Sequence, residues 1–237
     1  MNDEAKVAVM GVKVPDGFYE NIELHHREVP YQVYKFPKWK VDKDYWFSNV
    51  FYEDINNDAK KELILSLNQG HGSGVSENLV HVFHKTGEKF VEMPVEDPVK
   101  IAIKNIQTKI ANNEASFKVG KVTTFIDLSS WDKESQKHLF KDKATFGSVI
   151  HWETIQGALK AKVAAWVTIA GSVGNAEITY KYIDGTYVAD KVEFVPGLDS
   201  QSYSYNENKI FYKFVKRRNL HLFISKTNNT FEVLPCT

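Results

Sequence analysis

The stretch Glu62-Leu63-Ile64-Leu65-Ser66-Leu67 is apolar at almost every position yet only as long as one strand. A chain can satisfy that pattern only by covering the strand on both faces, so it predicts a central strand. Around it lie short alternating segments such as Tyr31-Gln32-Val33-Tyr34-Lys35-Phe36, broken by Pro15, Pro30 and Pro37, which suit edge strands. Asn78 to His84 and Lys89 to Met93 flank the turn Lys85-Thr86-Gly87-Glu88 and predict a hairpin. Phe146 to Thr154, Ala161 to Ile169, Glu177 to Ile183 and Thr186 to Val195 read as further strands. Asp184-Gly185 joins the last two, the strongest short-range hairpin signal a sequence offers.

One helix is expected, from Asp97 to Ala111. Asp97 is placed to cap it, Pro98 occupies the first helical position, and Val99, Ile103, Ile106 and Ile110 form an apolar stripe. Ser129 to Ala144 is charged and reads as a short helix or a loop. After Pro196-Gly197 a polar stretch leads into Ile210 to Val215, Leu220 to Ser225 and Thr230 to Leu234, a three-stranded meander. The expected fold is mainly β (α+β): a twisted antiparallel sheet packed by one amphipathic helix over residues 1–196, with a C-terminal β extension over residues 197–237 packed on it.

Thirty basic and thirty acidic residues give a formal net charge of zero, so no global field draws the chain to nucleic acid or to an anionic membrane. Cys236 is the sole cysteine, which excludes an internal disulfide and a cysteine-based metal site. No apolar run approaches the ~20 residues that a bilayer-spanning helix needs. Met1-Asn2-Asp3-Glu4 has no basic region followed by an apolar one, so no signal peptide is expected in the chain as it stands.

The most chemically specific segment is Asp54-Ile55-Asn56-Asn57-Asp58-Ala59-Lys60-Lys61-Glu62. Asp54, Asn56, Asp58 and Glu62 fall at positions one, three, five and nine of a calcium loop, with the Lys60 carbonyl at position seven. Calcium takes six to eight oxygen ligands, and alternate residues of a tight loop can present them to one centre. Ala59 stands where the sharp turn ordinarily has glycine, Lys60 and Lys61 offset local charge, and position twelve is Leu65, so the loop is no EF-hand. The competing reading is an Asx turn held by its own side chains.

The run from Tyr52 through this loop to Leu65 resembles the acidic loop and following strand of the VCBS and FG-GAP type repeats of bacterial extracellular proteins. The longer course, with Gly70-His71-Gly72-Ser73-Gly74-Val75, Val80-His81-Val82-Phe83 and later Phe146-Gly147-Ser148, is similar to an uncharacterised family of exported proteins of spore-forming, Gram-positive bacteria. That resemblance implies an extracellular or envelope setting and structural calcium, and it implies no activity. Those repeats build propellers from several copies, whereas this chain has one acidic loop.

Gly70, His71, Gly72, Ser73 and Gly74 are expected to form a loop, because alternate glycines suit irregular backbone, and that loop is a candidate ligand or partner contact. It fits neither a serine-hydrolase elbow nor a phosphate-binding loop, since the residue two before Ser73 is His71 and no Gly-Lys-Ser/Thr follows. His81 and His84 are three apart and point to opposite faces of a strand, so they are not expected to share one metal ion. The basic residues Lys213, Lys216, Arg217 and Arg218 suit a solvated hairpin end or a contact to an anionic polymer.

Taken together these features favour a non-catalytic binding or structural module of the bacterial exterior, secreted or in the envelope, with calcium as a candidate cofactor if the acidic loop is more than an Asx turn, and a protein or cell-wall polymer as its partner. The alternatives are a hydrolase using His71 and Ser73 and an intracellular protein-interaction module.

Overall fold

The computed structural model describes residues 2–42, 49–72, 74–140, 142–198, 200, 202–206, 209–216, 220–227 and 230–234. Among these the protein is mainly β with two short helices, an α+β fold. By contacts it divides into two compact units. Unit 1 is Met1–Glu96, Ser148–Ala161 and Thr179–Asp190; unit 2 is Asp97–Gly147, Lys162–Ile178 and Lys191–Thr237. The 197–237 segment is therefore part of a larger unit. Among the described residues no helix is long and apolar enough to cross a membrane.

Unit 1 opens with a four-stranded sheet of β1 (Val7–Lys13), β2 (Phe18–His26), β3 (Gln32–Phe36) and β4 (Val41–Asp42). Next come the antiparallel strands β5 (Asn49–Glu53), β6 (Glu62–Gly72), β7 (Val75–Thr86) and β8 (Lys89–Met93). The sequence predicts β6 to be covered on both faces, and it is: Leu63, Ile64, Leu65 and Leu67 are all 0% exposed. Leu63, Leu65 and Leu67 join Val7, Leu24 and Phe90 in one core, while Ile64, pointing the other way, is not part of it. Each such side chain contributes roughly 1.5–3 kcal/mol by leaving water.

In unit 2, α1 (Pro98–Asn105) has the expected cap, with the Asp97 carboxylate accepting the N–H groups of Val99 at 2.9 Å and Lys100 at 3.3 Å. The helix is shorter than the sequence predicts. From Ile106 the chain is β9 (Ile106–Ala111), paired with β10 (Glu114–Val119) across Asn112-Asn113, both of which take left-handed backbone. Ile106, Thr108 and Ile110 alternate with Gln107 and Lys109, so this stretch carries a period of two as well as a helical stripe. Branched residues and a two-asparagine turn decide for the hairpin. Ile103, expected on the buried stripe, is 63% exposed. β11 (Val122–Asp127) follows, and then α2 (Lys133–Lys137), capped by Asp132.

Four long strands come next: β12 (Thr145–Ile155), β13 (Ala158–Trp166), β14 (Ser172–Ile183) and β15 (Thr186–Pro196). Residues of each belong to both units. Asp184 and Gly185 make the predicted β14–β15 turn with φ of 47° and 85°. The tail forms β16 (Ser202–Asn206), β17 (Lys209–Lys216), β18 (Leu220–Thr227) and β19 (Thr230–Leu234). The last three are the expected meander, and β16 pairs with β11, so these strands extend the sheet of β9 to β11 instead of forming a separate layer. Arg217 and Arg218 lie outside the described residues.

Within unit 1, β12 meets β7 in parallel at the rung Val149↔Ser76. Side chains add to this pairing: the Asn78 side-chain amide donates to the Ile150 carbonyl at 2.6 Å, and the Trp152 indole donates to the Asn78 carbonyl at 2.9 Å. Asn68, also buried, donates to the Asn78 side-chain oxygen at 3.3 Å. Truncating Asn78 strands the buried Ile150 carbonyl and leaves the Asn68 amide only its long 3.5 Å bond to the Ser76 hydroxyl. Asn78→Ala is expected to lower unfolding free energy by about 2–4 kcal/mol, against ~0.5 kcal/mol or less for a surface asparagine, in urea denaturation.

Candidate functional site

The calcium-like spacing folds into the loop between β5 and β6. Asp54 anchors it: one carboxylate oxygen accepts the Asn57 N–H at 2.7 Å and the Asn56 N–H at 3.3 Å, and the other accepts the Ala59 N–H at 2.9 Å. Asn56 accepts from the Asp58 N–H at 2.9 Å and Asp58 from the Lys60 N–H at 2.8 Å, so the Asx turns expected from the sequence are also present. Ala59 takes a φ of 65°, the left-handed backbone that the sixth loop position demands and that ordinarily selects glycine. Gly157 packs against the loop; a Cβ there would come within 3.1 Å of the Asn57 side-chain oxygen and 3.4 Å of the Asp54 carbonyl.

Glu62 closes the loop and begins β6. It is 2% exposed, accepts the Ile55 N–H at 2.9 Å and receives the Asn56 side-chain amide at 3.3 Å. Burial, with the nearby charges of Asp58 and Asp54 in support, pushes its carboxyl up to about 7. Burial would raise Asp54 too, but the N–H groups of Ala59, Asn57, Asn56 and Asp58 outweigh it and hold Asp54 below its ordinary value. One residue past the rung Leu63↔Phe83, on the same sheet face as Glu62, stands His84. Its Nε2 lies 2.9 Å from the Tyr187 hydroxyl, and its ring is 4.6 Å from that of Tyr182. Burial lowers His84 and raises the fully buried Tyr187. The acidic loop therefore lies near a polar set of buried Glu62 and Tyr187 with half-buried His84.

His81 faces the other way. It stacks on Trp39 at 3.6 Å and lies 2.7 Å from Glu92, so His81 and His84 have separate partners, as strand alternation requires.

The glycine-rich stretch is not the loop that the sequence predicts. Gly70, His71 and Gly72 lie in β6 and pair with Glu77, Ser76 and Val75, after an irregularity between Asn68 and Gly70. A glycine within a strand marks such a bulge. Ser73 lies outside the described residues, and Gly74 takes a φ of 76°.

No protein family, curated protein or solved structure matches this chain.

What the site can do follows from its donors. Asp54, Asn56, Asp58, the Lys60 carbonyl and Glu62 are all hard oxygen ligands, suited to calcium rather than to a softer metal. A carboxylate oxygen that accepts one N–H keeps a second lone pair. As the loop stands, its oxygens serve its own N–H groups, and among the described residues no set of three or more His, Cys, Asp or Glu side chains is gathered as metal ligands. Tyr187 and His84 carry no motif, and only the pairing of distant strands reveals that they lie beneath the loop.

Glu62 gives a signed pH dependence. Its folded value lies above the ordinary 4.5, so its contribution is complete below about 4.5 and is lost as pH rises through about 7. Without calcium, Glu62→Gln should match the wild type near pH 4.5 and exceed it near pH 8, by on the order of 2–3 kcal/mol. Parallel stability curves across that range would show that Glu62 is freely solvated. Ala59→Gly relieves the left-handed backbone and should add roughly 0.5–1 kcal/mol in thermal denaturation.

Proposed function

We propose that the chain is a non-catalytic binding or structural module of the bacterial exterior, whose β5–β6 loop takes up calcium. The observation that carries this reading is the loop itself, in which Asp54, Asn56 and Asp58 make successive Asx turns, Ala59 takes left-handed backbone and the Asn56 side-chain amide donates to Glu62. β6 carries Glu62 inward beside Asp54 and Asp58, where burial and like charge both disfavour its carboxylate. A divalent cation bound there would offset the mutual repulsion and the lost hydration together. The resemblance to exported proteins supports the exterior setting, where millimolar calcium is available to a weak extracellular site. The partner there would be a protein or a cell-wall polymer.

Stripped of metal with a chelator and then given millimolar calcium, the protein is expected to melt at a higher temperature. Saturation to a hundred times the dissociation constant adds ~2.7 kcal/mol. Asp58→Ala should remove the gain, and magnesium, which holds its water more tightly, should give less of it. Identical melting curves with chelator and with calcium would sink the calcium reading. Cell fractionation tests the setting, with the protein expected in the wall or medium fraction.

A further inference from the structure

Unit 2 contains a cavity of about 670 Å³ along the outer edge of β9. Its walls are Ile103 and Ile106 at the junction of α1 and β9, Thr108 of β9, and Lys143, Ala144 and Phe146 of the segment entering β12. That volume falls in the range of small-molecule pockets, which combine apolar walls with a few placed polar groups.

The polar groups follow from strand parity. In an antiparallel pair alternate residues turn their backbone N–H and carbonyl to opposite edges. The Ile110 N–H donates outward to the Asp142 carbonyl at 2.9 Å, and the Ile106 N–H donates to the Ala102 carbonyl of α1. Thr108 has the same parity, so its N–H and carbonyl also turn outward, and there they meet the cavity. Its hydroxyl is already committed, donating to the Ala144 carbonyl at 3.3 Å. Among the described residues no backbone partner takes the Thr108 N–H. The charge is Lys143, exposed and with no ion-pair partner among the described residues. Unit 2 as a whole carries 17 basic and 11 acidic residues, a field that favours anions although the chain is neutral.

We propose that this cavity binds a small amphipathic carboxylate, its apolar body against Ile103, Ile106 and Phe146 and its carboxylate between the Thr108 N–H and the Lys143 ammonium. A peptide strand is the poorer fit. The chain's own segments already occupy the edge on both sides of Thr108, leaving room for one rung and not a ladder. The proposal stands apart from the calcium loop, whose residues all belong to unit 1.

The test uses the full chain and octanoate, with octanol as its neutral counterpart, followed by amide NMR. Octanoate should bind saturably with shifts centred on Ile103, Thr108 and Ala144, and hydrogen exchange of the Thr108 amide should slow on binding. Octanol should bind about tenfold more weakly, for want of a charge-assisted hydrogen bond. Lys143→Glu, at an exposed position, should leave the melting temperature unchanged and cost octanoate about tenfold or more while leaving octanol alone. Ile103→Ser should weaken both ligands. Shifts that do not saturate, shifts centred elsewhere, or octanol binding as tightly as octanoate in both wild type and Lys143→Glu would each overturn the proposal.

Discussion

β6 exists as a strand only because apolar layers cover both of its faces. Leu63, Leu65 and Leu67 point one way and Ile64 the other, all without exposure, and their combined burial outweighs many of the smaller terms in unit 1. One side is filled by Val7, Leu24, Phe83 and Phe90. On the other side of unit 1, hydrogen bonds and ring contacts bring in Asn78, His84, Trp152 and Tyr187. That second face is more polar, and Asn78, His84, Trp152 and Tyr187 are each tied to a named partner. Where β7 meets β12, the side chains of Asn78 and Trp152 join the backbone in tying the two strands together.

The acidic loop inherits its character from the same strand. Glu62 is at once the last residue of the loop and the first of β6, so the strand that buries Leu63 also draws the carboxyl inward. The loop cannot hold Glu62 in water without pulling β6 out of register, because a shift of one residue would exchange the two faces. Its compromise is visible in the bonds: Ile55 and Asn56 donate to Glu62, while Asp54 absorbs three backbone N–H groups near the surface. Two carboxylates of one turn are thus moved in opposite directions, Asp54 by hydrogen bonding and Glu62 by burial.

Much of this was legible from local pattern. The double-sided burial of β6, the hairpin at Asp184-Gly185, the cap at Asp97 and the Asx turns of the acidic loop are all short-range signals, and each is present in the structure. Two expectations differ from the structure, one where periods overlap and one where glycine misleads. Ile106 and Ile110 fit a helical stripe and an alternating strand equally well, and the Asn112-Asn113 turn, not the stripe, decided between them. Gly70 and Gly72 look like loop residues because glycine tolerates any backbone, but pairing with β7 holds them in a strand. Tyr187 and His84 were out of reach for another reason: they are 103 residues apart, and nothing local marks either as a neighbour of Glu62.

The misread junction at Asn105 and Ile106 also explains why β9 is an unusual edge. A free sheet edge is a template for other chains, and proteins blunt it by covering it or keeping it short. Here the blunting is done from both ends by the chain itself, since α1 takes the Ile106 N–H through Ala102 and the segment before β12 takes that of Ile110 through Asp142. Had the helix continued to Ala111, no edge would exist to protect. Because it stops at Asn105, Ile103 is left exposed above the strand, and one backbone position, Thr108, is left between two covered ones. An opening one residue wide is too short to nucleate strand pairing, yet it pairs a donor and an acceptor with an apolar wall. The same device that guards the sheet against another chain therefore leaves a recess fitted to something smaller.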